Sequence, residues 1–189
     1  MAKGDPVATY KVADMYKNGY YVGKNIDKYE EIIEKLYPKV KLMLDVFAPV
    51  PEVCMRLARI RQNQGEIDEA INLYLHARNY LAQRISYNAF FGNLNMMKWL
   101  IDDLYELIEF DKDCMDFFDL YYLLKVPNNI TFICDGKVQE LESVMEGNEC
   151  VIRFNDKWYR SRDDFFKEAT VNGKRLTTIY SKLYGFEVK

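Results

Sequence analysis

Histidine is almost missing from this chain: His76 is the single one, set between Leu75 and Ala77 in a stretch of helical character. A serine or cysteine nucleophile that needs an imidazole base would have to use it, and no nucleophile-elbow motif occurs. The four cysteines, Cys54, Cys114, Cys134 and Cys150, never fall at C-x-x-C spacing. Neither a zinc site nor a disulfide framework is therefore expected. Glycine-rich phosphate loops are lacking too. Asp111-x-Asp113-x-x-Asp116 has neither the central glycine nor the terminal glutamate of a calcium loop. The reading is of a protein that is not an enzyme, with no catalytic residue, no metal and no cofactor. No apolar run approaches the roughly 18 residues needed to cross a bilayer. Residues Met1 to Pro6 are polar, with no apolar h-region after them. These absences predict a protein of the reducing cytoplasm with no membrane attachment.

Aromatic residues, by contrast, are plentiful: 15 tyrosines and 11 phenylalanines in 189 residues. In a helical array such side chains act as large packing elements. The net charge of −3 hides an uneven distribution. Acids crowd the stretch from Asp102 to Glu149, opposed only by Lys112, Lys125 and Lys137. Beyond Cys150 the sign reverses. Such asymmetry suits two surfaces that dock, or one that meets a charged partner.

Apolar periodicity predicts a helix from Pro6 to about Asn18-Gly19, and a second from Ile26 to Tyr37, where Pro38 interrupts the ladder. Lys39–Phe47 can be read either way, and Ala48-Pro49-Val50-Pro51 imposes extended chain. Further helices are expected over Glu52–Gln64, Ile67–Arg84, Leu94–Phe110 and Asp113–Leu124, with Ser86–Asn93 as a connection. At Val126-Pro127-Asn128-Asn129 the period changes from helical to alternating. Strands over 130–134, 138–144, 150–154 and 157–160 follow, the first two joined by an Asp135-Gly136 turn. Ser161 then caps a short helix, Asp164 completing a capping box. The segment Leu176–Leu183 reads as a last helix ended by Gly185. The fold class is thus mainly α: an antiparallel helix-hairpin array over 5–126, then a small α+β domain with an antiparallel β-meander over 127–189.

Two of the expected hairpins share a pattern. Val12-Ala13 with Tyr16 leads through a Gly19 turn to Tyr29, Ile32 and Ile33; Leu57-Ala58 leads through Gly65 to Ala70 and Tyr74. The second resembles a tetratricopeptide repeat, with Cys54 where a large aromatic is common and Arg61 where tyrosine is usual. The first resembles the longer Sel-one-like variant. About three such units are needed for a stable stack, so the helices of 94–124 would complete or cap it. The resemblance implies a non-catalytic interaction or adaptor module that holds a protein segment on its concave face. It places Tyr10, Asp14, Lys17 and Asn18 of the first copy there, with Met55, Arg59, Gln62 and Asn63 of the second. The lysine–asparagine carboxylate clamp of some relatives is not reproduced, because Asp14 and Tyr10 occupy its positions. Nothing in the sequence names the partner or the oligomeric state.

A rival source of function lies in the tail. Arg153, Lys157, Arg160, Arg162, Lys174 and Arg175, interleaved with Trp158 and Tyr159, are residue types that bind single-stranded nucleic acid through phosphates and stacked bases. Trp158 is expected to be buried under the capped helix.

Overall fold

The computed structural model describes residues 5–44 and 51–189. Its contacts fall into two compact units, residues 1–80 and 81–189. The helix-to-strand change does lie at 126–129, but the units divide inside a helix, at Tyr80/Leu81.

The first unit is helical. α1 (Pro6–Asn18), α2 (Ile26–Leu44), α3 (Pro51–Asn63) and the greater part of α4 (Ile67–Tyr87) supply it. Gly19, at φ +76°, ends α1 where a side chain would strain the left-handed turn. Asn25 then caps α2, its Oδ1 accepting from Lys28 N at 2.8 Å. α2 buries Tyr29, Ile33, Leu36 and Val40, one stripe at helical spacing. The expected stop at Pro38 does not occur: α2 runs on to Leu44. Pro38 sits on the exposed side, where the carbonyl it leaves without a donor can be hydrated. Val40 beyond it is buried, which rewards continuation. Of the doubtful stretch 39–47, residues 39–44 are therefore helical, while 45–47 and the Ala48–Val50 segment lie outside the described residues. Small side chains on the buried faces, Ala13, Ala58, Ala70 and Ala77, let helices approach closely.

In the second unit, α5 spans Phe91–Leu104, so it begins inside the segment read as a connection and ends before Phe110. The single helix expected over 113–124 is broken into a 3₁₀ turn at Lys112–Cys114, another at Phe117–Asp119, and α6 at Leu120–Leu123. Aspartates cause the breaks. Asp111 Oδ1 accepts from Asp113 N at 2.9 Å, Asp116 Oδ1 from Phe118 N at 2.8 Å, and Asp119 Oδ2 from Asp116 N at 2.8 Å. Short carboxylates that bond nearby amides compete with a continuous helix.

The meander forms as read: β1 (Asn129–Cys134), β2 (Lys137–Glu146), β3 (Glu149–Phe154) and β4 (Lys157–Tyr159). Asp135-Gly136 and Asn155-Asp156 turn with positive φ at both positions, as two-residue hairpins require. Ser161 Oγ accepts from Asp164 N at 3.1 Å and starts α7 (Arg162–Glu168). A two-stranded ribbon, β5 (Thr170–Val171) and β6 (Lys174–Arg175), comes next. The helix expected over 176–183 is instead a turn and a 3₁₀ segment at Tyr180–Lys182, followed by a fifth sheet strand, β7 (Tyr184–Val188). Sheet order is β4-β3-β2-β1-β7. Gly185, at φ +62°, does not end a helix but lies in β7, where the register against β1 shifts.

One face of the sheet carries Phe132, Leu141, Ile152, Phe154, Tyr159 and Phe186, all buried. Phe165 of α7 meets Phe154 and Tyr159 edge-on. Phe166 stacks on Tyr121 at 3.7 Å and touches Phe117 at 4.9 Å. Asn128 ties the end of α6 to the sheet, donating to Leu123 O at 2.6 Å while its backbone exchanges bonds with Ser143. The helical residues 117–124 thus pack with the α+β part.

Candidate functional site

α1 carries Tyr10, Asp14 and Lys17 at i, i+4 and i+7, which places them on one stripe. α3 carries Arg56 and Arg59 one turn apart, and the two helices touch. Arg56 Nε approaches Tyr10 Oη at 3.5 Å. Lys17 Nζ lies 5.3 Å from the centre of the Tyr29 ring, within cation–π range. Burial pushes the Lys17 ammonium below its ordinary value, and the positive charges of Arg56 and Arg59 push it the same way. Burial likewise raises the Tyr10 and Tyr29 phenols. Asp14 is the carboxylate among these cations: it favours the charged forms of Lys17 and Arg56 and its side chain faces the Tyr10 phenol, while its Oδ1 is buried without a hydrogen-bond partner. Neither Lys17 nor Arg56 has a carboxylate within ion-pair distance among the described residues.

The structure therefore brings Tyr10, Asp14, Lys17 and Arg59 into one neighbourhood and treats the other expected groove residues differently. Met55 is buried and is core rather than lining; Tyr10, though near the cations, is buried as well. Asn18 and Asn63 are exposed at their helix ends, and Gln62 accepts from Tyr74 Oη at 3.5 Å. Two members of the cluster, Arg56 and Tyr29, were not singled out from sequence. The i, i+3 spacing of Arg56 and Arg59 was a signal for the first; that for Tyr29 required knowing how α2 lies on α1.

On the same helix α3, Arg61 shows the opposite arrangement. It is 8% exposed and reaches Glu34 at 2.9 Å, Glu66 at 3.4 Å and Glu69 at 3.4 Å. It also donates to Gln64 at 2.7 Å and stacks 4.1 Å from the Tyr37 ring centre. Burial, aided by Glu69, pushes the Tyr37 phenol up to about 12. Arg61 thus forms a clamp between helices.

The residues proposed for nucleic acid are dispersed. Register puts Trp158 opposite Arg153 on the outer face of the sheet, where it is 50% exposed. The expected burial of Trp158 is thus wrong by one residue: it is Tyr159 that packs under α7. Lys157 pairs with Glu168 at 2.9 Å, and Arg162 donates to Tyr121 O. Arg160 is exposed after β4, while Lys174 and Arg175 sit on the separate ribbon. The outer face holds a shallow depression of about 500 Å³. Its cations are already engaged, Arg153 with Glu142 and Asp156, Lys189 with Glu140.

All four cysteines are free, and burial raises Cys54 to about 12, which keeps it an unreactive thiol. His76 is half-buried in α4. No family model, no curated protein and no solved structure matches this chain. No helix among the described residues is long and apolar enough to cross a membrane.

Proposed function

We propose that this chain is a non-catalytic protein–protein interaction module, an adaptor or scaffold that holds a segment of another cytoplasmic protein against the α1–α3 face of tetratricopeptide-like helices. One observation carries the reading: Lys17, Arg56 and Asp14 share a half-buried neighbourhood in which neither cation has a carboxylate partner and one carboxylate oxygen has no donor. Left alone, such an arrangement costs stability, since desolvated charge is favourable only when paired. A bound segment can supply the missing partners.

The test is a cross-linked pull-down from cell extract with three proteins: wild type, the double variant Asp14→Lys/Arg59→Glu, and Lys182→Glu as a control in the second unit. Proteins retained by wild type and control should be lost with the double variant, provided its circular dichroism matches wild type. An identical set on all three would remove the α1–α3 face from consideration.

A further inference from the structure

We propose that the α1–α3 face selects a carboxylate-bearing segment, with Arg56 and Lys17 receiving an aspartate or glutamate side chain and Asp14 accepting a backbone N–H beside it. The inference rests on the reading of this face as a partner site and names the chemistry of the partner.

The contrast along α3 is its basis. Arg61, more deeply buried, has three carboxylates around it, drawn from α2, the α3–α4 turn and α4. The chain holds 29 acidic residues and is net negative, so acids to place beside Arg56 were plentiful. Only Asp14 stands there, and Arg56 instead meets a neutral phenol at 3.5 Å. Lys17 rests on an aromatic face rather than on a carboxylate. The guanidinium fork of Arg56 matches a carboxylate bidentately, and its Nη groups have no partner here among the described residues. Positive charges held close in a half-buried place, with the single carboxylate of Asp14 near them and no direct ion pair for Lys17 or Arg56 among the described residues, fit a further anion that arrives from outside.

Asp14 decides between a free anion and a protein segment. Its buried Oδ1 needs a donor. An inorganic anion with no proton to donate would leave that oxygen unpaired, and nothing else in it would offset the repulsion by Asp14. A peptide presents an amide N–H next to its acidic side chain and satisfies both ends. Beyond the end of α1, Tyr20 and Tyr21 are exposed, Tyr21 at 97% with φ +63°. Tyrosines displayed this way offer contact area at low entropic cost to such a segment.

The experiment is fluorescence anisotropy of the full chain with three labelled peptides of equal length: glutamate-rich, its glutamine counterpart and its lysine counterpart. The glutamate peptide should bind, weaken steeply between low and about 0.15 M salt, and persist against millimolar inorganic phosphate. Lys17→Gln and Arg56→Gln should each weaken it by about tenfold, while Lys28→Gln, on α2 and paired with Glu31, leaves it unchanged. Asp14→Asn should alter peptide binding and, by removing the repelling charge, let phosphate compete. Thermal melts of Lys17→Gln should stay at or above wild type, which a merely structural role for that lysine would not give.

Equal binding of the glutamine peptide would overturn the acidic preference while leaving the face as a partner site. Displacement by phosphate alone in wild type would reduce the site to a simple anion patch. No binding of any of the three overturns the acidic proposal, and the pull-down above judges the face independently. Concentration-dependent self-association abolished by Arg56→Gln would make a second copy's acidic stretch the occupant, against a separate partner.

Discussion

In residues 1–80 the helices meet through alanine, with Ala13, Ala58, Ala70 and Ala77 fully buried, and the charge buried among them is Arg61 with its three carboxylates. In residues 81–189 the interior is built of rings: Phe117, Phe118, Tyr121, Phe165 and Phe166 touch one another, and Phe132 stacks between Phe154 and Phe186. The two solutions have different consequences. Alanine contacts bring backbones close and leave the half-buried flanks of these helices to carry charge, which is where Lys17, Arg56 and Arg59 stand. Ring packing buries large area per residue and adds about 0.5–1.5 kcal/mol per favourable pair. Some of that unit's charged residues form surface pairs, such as Lys157–Glu168 and Lys125–Asp102.

The sharpest way to break the comparison is Phe166→Ala. Phe166 is 1% exposed and stacks face to face on Tyr121. Its loss should cost about 3–5 kcal/mol, read from denaturant unfolding followed by tryptophan fluorescence. A cost below about 1 kcal/mol would mean that ring packing does not hold the second unit.

Arg61→Met probes the first unit and should cost less, about 2 kcal/mol. Breaking a fully buried pair costs more, but Glu34, Glu66 and Glu69 keep 35%, 50% and 37% of their side-chain surface and can be rehydrated. Arg61→Lys should recover only part of the loss, because an ammonium cannot reach all three carboxylates and stack on Tyr37 at once. Urea midpoints of the two variants and wild type decide it. A methionine variant as stable as wild type would show the clamp to be dispensable.

The smallest effect is that of acid. Hydrogen bonds from Lys28 and then Lys35 hold Glu31 at about 2, below the usual 4.5, and bonds from Tyr37 and Lys41 hold Glu69 below it as well. A carboxylate whose folded value is depressed contributes stability above 4.5, and that contribution drains away as pH falls from 4.5 towards 2. Both groups are open to solvent, so screening keeps their contribution to stability small. Melting temperature should fall over that window, and Glu31→Gln with Glu69→Gln should flatten the decline. An unchanged slope in the double variant would assign the acid sensitivity elsewhere.

What could be read in the residues was local. The starts of α1 and α2, the glycine turn after α1, the Asp135-Gly136 hairpin and the Ser161 cap each depend on a few adjacent positions. All took the form that their dihedral preferences and short-range hydrogen bonds predict. Failures came where a distant partner outweighed a local signal. Leu176–Leu183 has helical spacing, yet the open edge of β1 recruits the following residues as β7, with Ile130 opposite Val188. Pro38 is a helix breaker, yet burial of Val40 keeps α2 going. Asp113–Leu124 looks like one helix by its apolar positions, but the aspartates at 111, 116 and 119 divide it. Of the candidate site, a resemblance named Tyr10, Asp14, Lys17 and Arg59 as partner-facing, and the structure shows that they lie together; Arg56 and Tyr29 joined them only when α1, α2 and α3 were packed.

By itself the sequence determined that helices come first and an antiparallel meander after 126–129, because periodicity and turn chemistry act within a few residues. Tertiary structure alone decided that the units part inside α4, that β7 closes the sheet beside β1, and that one arginine of α3 is clamped by carboxylates while another is left without them. Those outcomes depend on residues far apart in the chain, such as Glu34 and Arg61, whose meeting no local pattern encodes.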